Sequence, residues 1–130
     1  MTAQESKGFE IALYEAKHLV SVRIWGHWDR KLTKTYRHAL GEKLDDVCKN
    51  GEEWWVLVNV TAFHPRTENV ERMLCEQIET VSRRGIKKIA YLGTGAAVQL
   101  QFNQLFQKVV VPQCAFFEAQ ECAMHWLLSE

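Results

Sequence analysis

The stretch WWVLVNV at residues 54–60 decides what kind of fold to expect from this chain. It is almost continuously apolar, it is rich in β-branched and aromatic residues, and it is too short for a typical helix. These properties are typical of a strand buried on both faces at the centre of a sheet. Such strands occur mainly in parallel sheets covered by helices, so the stretch predicts an α/β protein.

The segments around this strand switch between the period of a strand and the period of a helix. Residues 9–14 and 19–25 alternate with period two and predict a hairpin. Asp29 is placed as the N-cap of a helix over residues 32–48, and Gly51 can close it in the left-handed conformation. The remaining predicted elements are a helix over residues 70–81, a strand over 86–92, a helix over 98–109, a strand over 114–117 and a helix over 119–127.

The order ββαβαβαβα predicts how the strands pair. Each helix returns the chain to the same end of the sheet, which makes the following strand parallel to the one before it. We therefore expect a mainly parallel sheet with an N-terminal antiparallel hairpin strand. The sequence shows no internal repeat and no linker, so it predicts a single domain over residues 1–130 with a polar tail at residues 1–8.

Composition excludes several classes of protein and partner. Of 130 residues, 47% are apolar and 11% aromatic, which excludes disorder, collagen and coiled coil. Sixteen basic residues balance sixteen acidic ones, so the long-range field that attracts nucleic acid is missing, and we expect no nucleic-acid partner. No run of eighteen apolar residues occurs and the polar start does not resemble a signal peptide. We expect no membrane span and a cytoplasmic location.

The cysteines are dispersed and predict reduced thiols. There are four, and none forms a C-x-x-C pair. They are Cys48, Cys75, Cys114 and Cys122. Cys48, Cys75 and Cys122 fall at helical spacing with other apolar residues, which favours a packing role.

Four strings carry a resemblance to a known family. They are GHWD at residues 26–29, WVLVNV at 55–60, RRGIKKIA at 83–90 and FFEAQECAMHWL at 116–127. In this order and spacing, the chain from about residue 9 to 128 resembles the SpoIIAA-like family, which has the STAS-like fold of anti-sigma-factor antagonists and is related in fold to CRAL-TRIO lipid-binding domains. The resemblance implies a SpoIIAA-like β-α superhelix and a role in binding a protein or an apolar ligand.

One departure from the family affects the expected mechanism. Antagonists of this type carry a phosphorylatable serine in an Asp-Ser-Ser-Gly-like turn after the central strand, whereas residues 61–67 here read TAFHPRT. Thr61 and Thr67 offer hydroxyls, but a threonine at a helix entrance is more simply an N-cap. The phosphorylation switch is therefore not carried over.

Candidate ligand-binding residues follow from the predicted topology. In parallel sheets, ligands bind beyond the carboxyl ends of the strands, where we expect residues 26–29, 61–66 and 93–95 to share one edge. An apolar ligand would add side chains from a third helix that partly leaves the sheet. The candidates are His27, Trp28, Phe63, His64, Arg66, Thr94, Phe102 and Phe106.

Other chemical interpretations have weaker support. His27 and His64 could meet near Asp29, but no ligand spacing supports a metal, and no G-x-S-x-G motif supports a nucleophile. The turn GTG at 93–95 is too short for a phosphate loop and lacks its lysine. The basic run at 83–88 is typical of a solvated helix terminus. We therefore predict no catalytic residue, no metal and no cofactor.

The second face of the sheet supplies candidate interface residues. If the helices crowd one face, aromatic and arginine side chains on the other are left thinly covered, and such residues are enriched at interface centres. The alternative is that helices cover both faces. The candidates are Arg23, Trp25, Trp55 and Tyr91.

Together these features predict a non-enzymatic STAS-like regulatory or protein-interaction module. Its partner would be another protein or a second copy of the chain in a homodimer. The alternative is a carrier or sensor of a lipid-like or other small apolar ligand, and a third hypothesis is an enzyme that uses His27 or His64.

Overall fold

The elements follow one another in the order expected from the sequence. The computed structural model describes residues 6–49, 51–64, 68–108 and 113–129. A short 3-10 turn at Glu15–Lys17 links the first two strands. Within the described residues, the strands and helices are β1 (Gly8–Tyr14), β2 (Leu19–His27), α1 (Arg30–Cys48), β3 (Trp55–His64), α2 (Glu68–Arg83), β4 (Lys88–Leu92), α3 (Ala96–Phe106), β5 (Gln113–Phe117) and α4 (Gln120–Leu128).

The sheet has the predicted topology. Its strand order is β1-β2-β3-β4-β5; β1 is antiparallel to β2, and the later pairs are all parallel. The predicted α/β fold class, with a mainly parallel sheet and an antiparallel first strand, is confirmed. The carboxyl ends of β2 to β5 consequently lie along one edge of the sheet.

The helices cover the two faces of the sheet unequally. Apolar side chains of α1, α2 and α3 form one large core with one face of the sheet, which we call the three-helix face. On the opposite face, α4 packs Ala123 and Leu127 against a smaller cluster that contains Leu57 and Ala90. Helices therefore lie on both faces, but the second face carries α4 beside β4 and β5 and remains more open beside β1 and β2.

Two strands are longer than predicted, because pairing continues through a bulge. The register between β2 and β3 shifts between Arg23 and Trp25, after which the strands pair on to residues 27 and 64. The Asn59 side chain accepts a hydrogen bond of 2.9 Å from the Thr61 amide at this irregularity. The expectation that residues 61–66 lie beyond the end of the strand is therefore wrong for residues 61–64, which belong to β3; residues 65–67 lie outside the described part of the chain.

The start of α1 is capped as predicted. The Asp29 carboxylate accepts a hydrogen bond of 2.8 Å from the Leu32 amide. It also forms an ion pair with the Lys7 ammonium, at 2.8 Å. The Lys7 hydrogen bond, with the help of the Leu32 amide, lowers the pKa of Asp29. At the other end of α1, Gly51 has a φ of 75°, in the left-handed region that favours glycine.

Two further properties bear on function. Within the described residues, no helix is both long enough and apolar enough to cross a membrane. The four cysteines are free thiols.

Candidate functional site

The carboxyl ends of β2 and β3 bring together the two histidines at this edge of the sheet. His27 pairs with His64 in the strand register, and their ring centroids are 4.8 Å apart with a tilt of 33°. Both residues are exposed. Asp29 is engaged as the N-cap of α1, and within the described residues no group of three or more His, Cys, Asp or Glu side chains is arranged to hold a metal ion.

Most of the predicted aromatic ligand-binding residues lie inside the three-helix core. Phe63 is 0% exposed and Phe102 is 2% exposed. The Phe63 ring meets the Trp28 ring nearly perpendicularly, with 5.4 Å between centroids, and its centroid is 6.0 Å from that of Phe102. Phe106 is half-buried, with its ring centroid 4.9 Å from that of Tyr91. These rings pack against one another between α3 and the sheet. The expectation that α3 partly leaves the sheet is therefore wrong.

The other predicted ligand-binding residues do not join this aromatic cluster. Thr94 is exposed in the turn before α3, and that helix has Gly95 as its N-cap, without a side-chain cap. Arg66 lies outside the described residues. The Trp28 indole N–H donates a 2.8 Å hydrogen bond to the Trp25 carbonyl. This donor is therefore used within the chain.

The candidate interface residues divide between the two faces. Arg23 is exposed and Trp25 half-buried on the face that carries α4, where the Arg23 guanidinium carbon lies 4.3 Å from the centroid of the Trp25 ring. Trp55 shares this face but packs partly against the α4 cluster. Tyr91 lies on the three-helix face and is 7% exposed, so its expected position on the open side is wrong. In β4, Ala90 faces α4, and the alternation of the strand turns Tyr91 the opposite way.

The more open part of the second face forms a continuous surface, which we call the open face. It consists of residues on β1, β2 and β3 that pair across the strands or lie next to each other on the same side of the sheet. Its residues are Glu10, Tyr14, Ser21, Arg23, Trp25 and Asn59. All are exposed or half-buried.

A groove between α1 and α2 was not predicted from the sequence. It encloses about 350 Å³ and has basic side chains from both helices on its walls. The spacing of these residues was a signal in the sequence, because positions i, i+3, i+4 and i+7 share one side of a helix. We call this the basic groove; its residues are Lys34, Arg37, His38 and Gly41 of α1, Gln77, Thr80 and Val81 of α2, and Arg84, which directly follows α2.

Burial makes three of the thiols poor nucleophiles. It raises the pKa of Cys114 to about 12 and also raises the pKa values of Cys48 and Cys75. Since the thiolate is the reactive form, these protonated thiols have low nucleophilic reactivity near neutral pH. Cys48 and Cys75 pack against the core as their spacing predicts, whereas Cys122 is exposed, so its predicted packing role is wrong.

Comparison with known proteins gives matches in structure and not in sequence. No family model and no curated protein sequence matches the chain. An uncharacterised DUF3478-family protein with a SpoIIAA-like fold from Shewanella loihica PV-4 superposes with a TM-score of 0.72 at 14% identity, covering 93% of this chain and 94% of that one. An anti-sigma factor antagonist from Mycobacterium paratuberculosis gives 0.60 at 11% identity, covering 99% and 100%.

The third similar structure is SpoIIAA itself. The phosphorylated form of this Bacillus cell fate determinant superposes with a TM-score of 0.57 at 13% identity, covering 92% of this chain and 98% of that one. At such identities the similarity shows a shared fold. It confirms the fold that the sequence resemblance predicted.

Proposed function

We propose that this chain, whose fold is SpoIIAA-like, is a non-enzymatic regulatory module that binds another protein chain through the open face. The observation that carries the proposal is the Arg23–Trp25 pair, which lies on the part of the sheet that α4 leaves open. Tryptophan, tyrosine and arginine are the residues that most often dominate the binding energy of protein interfaces.

Contacts within the sheet favour one arrangement of the pair. The Arg23 guanidinium lies over the Trp25 ring at 4.3 Å and reaches the Glu10 carboxylate at 3.3 Å. Side chains that are already ordered lose less conformational entropy on association, which favours binding. The exposed Tyr14 ring on β1 adds a second aromatic side chain to the same surface.

The similar structures favour a protein as the partner. The Mycobacterium paratuberculosis structure reported above is an anti-sigma factor antagonist, and SpoIIAA is described as one as well; such a protein is named for its action on another protein. Phosphorylation is left out of the proposal because TAFHPRT replaces the serine-containing turn. Thr61 instead lies within β3, with its amide bonded to the Asn59 side chain.

The chemistry of the described residues supports a binding role over catalysis. The buried thiols have raised pKa values, and the aromatic side chains at the edge of the sheet are packed against one another. Binding requires only a complementary surface, which the open face supplies.

The test compares the wild-type chain with Arg23→Glu/Trp25→Ser on the open face and with Leu100→Ser, a control at an exposed leucine of α3. Light scattering over a concentration series measures self-association, and quantitative affinity enrichment from the source cells measures binding to other proteins. We expect one of these associations in the wild type, a loss of about tenfold or more in the open-face variant, and no change in the control.

The proposal fails if the wild type neither self-associates nor enriches a partner. It also fails if the folded open-face variant binds as the wild type does, or if Leu100→Ser weakens binding equally. Circular dichroism of each variant establishes that the fold is retained.

A further inference from the structure

The basic groove lies on the opposite side of the molecule from the open face, between two helices that pack on the three-helix face. Its described lining includes four basic side chains and no carboxylate. Three of these side chains have a carboxylate beside the groove: Arg37 has Glu76, His38 has Glu42 and Arg84 has Asp45. A volume of about 350 Å³ is at the small end of the range for ligand sites.

Arg84 is fixed in position at one end of the groove. Its guanidinium donates to the Asp45 carboxylate at 2.7 Å and to the Thr80 carbonyl at 3.3 Å. It lies against α1 at Gly41, where an added Cβ would be 3.3 Å from Nη2. Glycine destabilises a helix interior relative to alanine, and at this position its missing side chain makes room for the guanidinium.

The other cationic groups keep unused hydrogen-bonding capacity. Arg37 reaches the Glu76 carboxylate at 3.5 Å, longer than the usual 2.7–2.9 Å of a charge-assisted hydrogen bond. Lys34 has no ion-pair partner among the described residues. An anion in the groove would therefore compete with Glu76 for Arg37 and meet no competitor at Lys34.

Gln77 of α2 lies where the groove meets the core. It is 7% exposed, and it lines both the groove and a small core cavity beside Tyr36. Within the described residues its amide nitrogen makes no hydrogen bond of good geometry, but burial raises the pKa of Tyr36 and the nearby Gln77 side chain opposes that rise. The binding chemistry of the groove therefore depends on its charged side chains and not on Gln77.

We propose that the basic groove binds a small phosphate ester through its phosphate group. Two guanidinium groups, an ammonium and an imidazole carry more N–H donors than their bonds to the Glu76, Glu42 and Asp45 carboxylates use. A phosphate monoester presents three terminal oxygens and up to two negative charges, and guanidinium groups match its geometry with paired hydrogen bonds. Lys34 and Arg37 bind the phosphate, and Arg84 closes the end of the site.

The test is a titration of the isotope-labelled full chain, followed by NMR, with inorganic phosphate and with glycerol 3-phosphate at constant ionic strength. We expect saturable shifts centred on residues 34–41 and 77–84, with tighter binding of the ester. Lys34→Ala/Arg37→Ala should weaken binding about tenfold or more, because charge-assisted hydrogen bonds are lost. The matched control Lys17→Ala/Lys43→Ala changes the net charge equally at exposed positions outside the groove, and should change affinity less than about twofold.

Two further variants should change the affinity in opposite directions, and a general effect of net charge would not explain both changes. Glu76→Gln removes the competing carboxylate and should strengthen binding. Gly41→Ala places a Cβ 3.3 Å from Nη2 of Arg84, so the guanidinium must shift by a few tenths of an ångström, and binding should weaken. Absence of saturable shifts overturns the proposal, as does equal weakening in the two double variants or a Glu76→Gln variant that binds no better than wild type.

Discussion

Replacing Phe63 with alanine removes a ring that is completely enclosed by the core. Its exposure is 0%, and its ring packs against those of Trp28 and Phe102. Truncation of a buried phenylalanine to alanine costs about 3–5 kcal/mol, through lost transfer free energy and the cavity left behind. The upper part of that range is expected here, because two aromatic contacts of about 0.5–1.5 kcal/mol each are lost as well.

The free energy of unfolding should be measured by urea denaturation with tryptophan fluorescence and circular dichroism as separate probes. For a domain of this size the expected loss lowers the melting temperature by about 10–20 °C. Thr94→Ala is the control, because Thr94 is exposed at the same edge of the sheet and should change stability by about 0.5 kcal/mol or less.

The result separates a core role for Phe63 from the ligand-binding role expected from the sequence. A ring that faces a ligand site would be partly solvated, and its removal would cost little. The packing argument would be refuted if the free energy of unfolding of Phe63→Ala were within about 1 kcal/mol of the wild-type value, with the same slope against urea concentration.

Three further predictions concern capping, backbone conformation and pH. Asp29→Ala should lower the free energy of unfolding by about 1 kcal/mol in urea denaturation, because the Leu32 amide loses its acceptor; Asp29→Asn should cost less, because asparagine also caps. Gly26→Ala should lower the melting temperature strongly, because φ is 86° and the new Cβ would clash with the Ser6 carbonyl oxygen. Burial raises the pKa of Cys114 to about 12, so between pH 9 and 12 the native thiol keeps a proton that the unfolded chain loses. Stability should therefore fall as pH rises above about 9, by about 1–2 kcal/mol at pH 10, and Cys114→Ala should reduce this slope in urea titrations at several pH values.

Each of these predictions has a matched comparison. Equal losses for the alanine and asparagine variants of Asp29 would assign the effect to the Lys7 ion pair and contradict the capping argument. Gly51 also has a positive φ, of 75°, but among the described residues an added Cβ meets no atom within 4 Å. Gly51→Ala should therefore cost less than Gly26→Ala, and equal costs would rule out the steric clash. An alkaline slope that is the same with and without Cys114 would contradict its assigned burial.

The order and type of the elements were predictable because they depend on local physical chemistry. The period-two alternation at residues 9–14 indicates a strand that is buried on one face. The apolar run at 54–60 indicates a strand that is buried on both faces, and both segments form strands in the structure. Asp29 was predictable as a cap because a cap depends on residues within one helical turn. Parallel pairing then followed from the lengths of the helical connections.

The candidate sites were less predictable because they depend on contacts between distant segments. Phe63 and Phe102 were assigned to a ligand site from their positions near strand ends and on α3, but their burial depends on how closely α3 packs on the sheet. The bulge in β3 depends on the register with β2, which no local pattern specifies. His27 and His64 do meet, since parallel strands of similar length end at the same edge.

The sequence by itself determined the succession of strands and helices, their parallel connection and the edge where the strands end, because periodicity, caps and connection lengths act over a few residues. Only the tertiary structure decided which face α4 covers, which way Tyr91 points and how α1 and α2 form the basic groove. Alternation tells which residues share a side of a strand or helix, but the choice of what covers that side follows from the packing of the whole core.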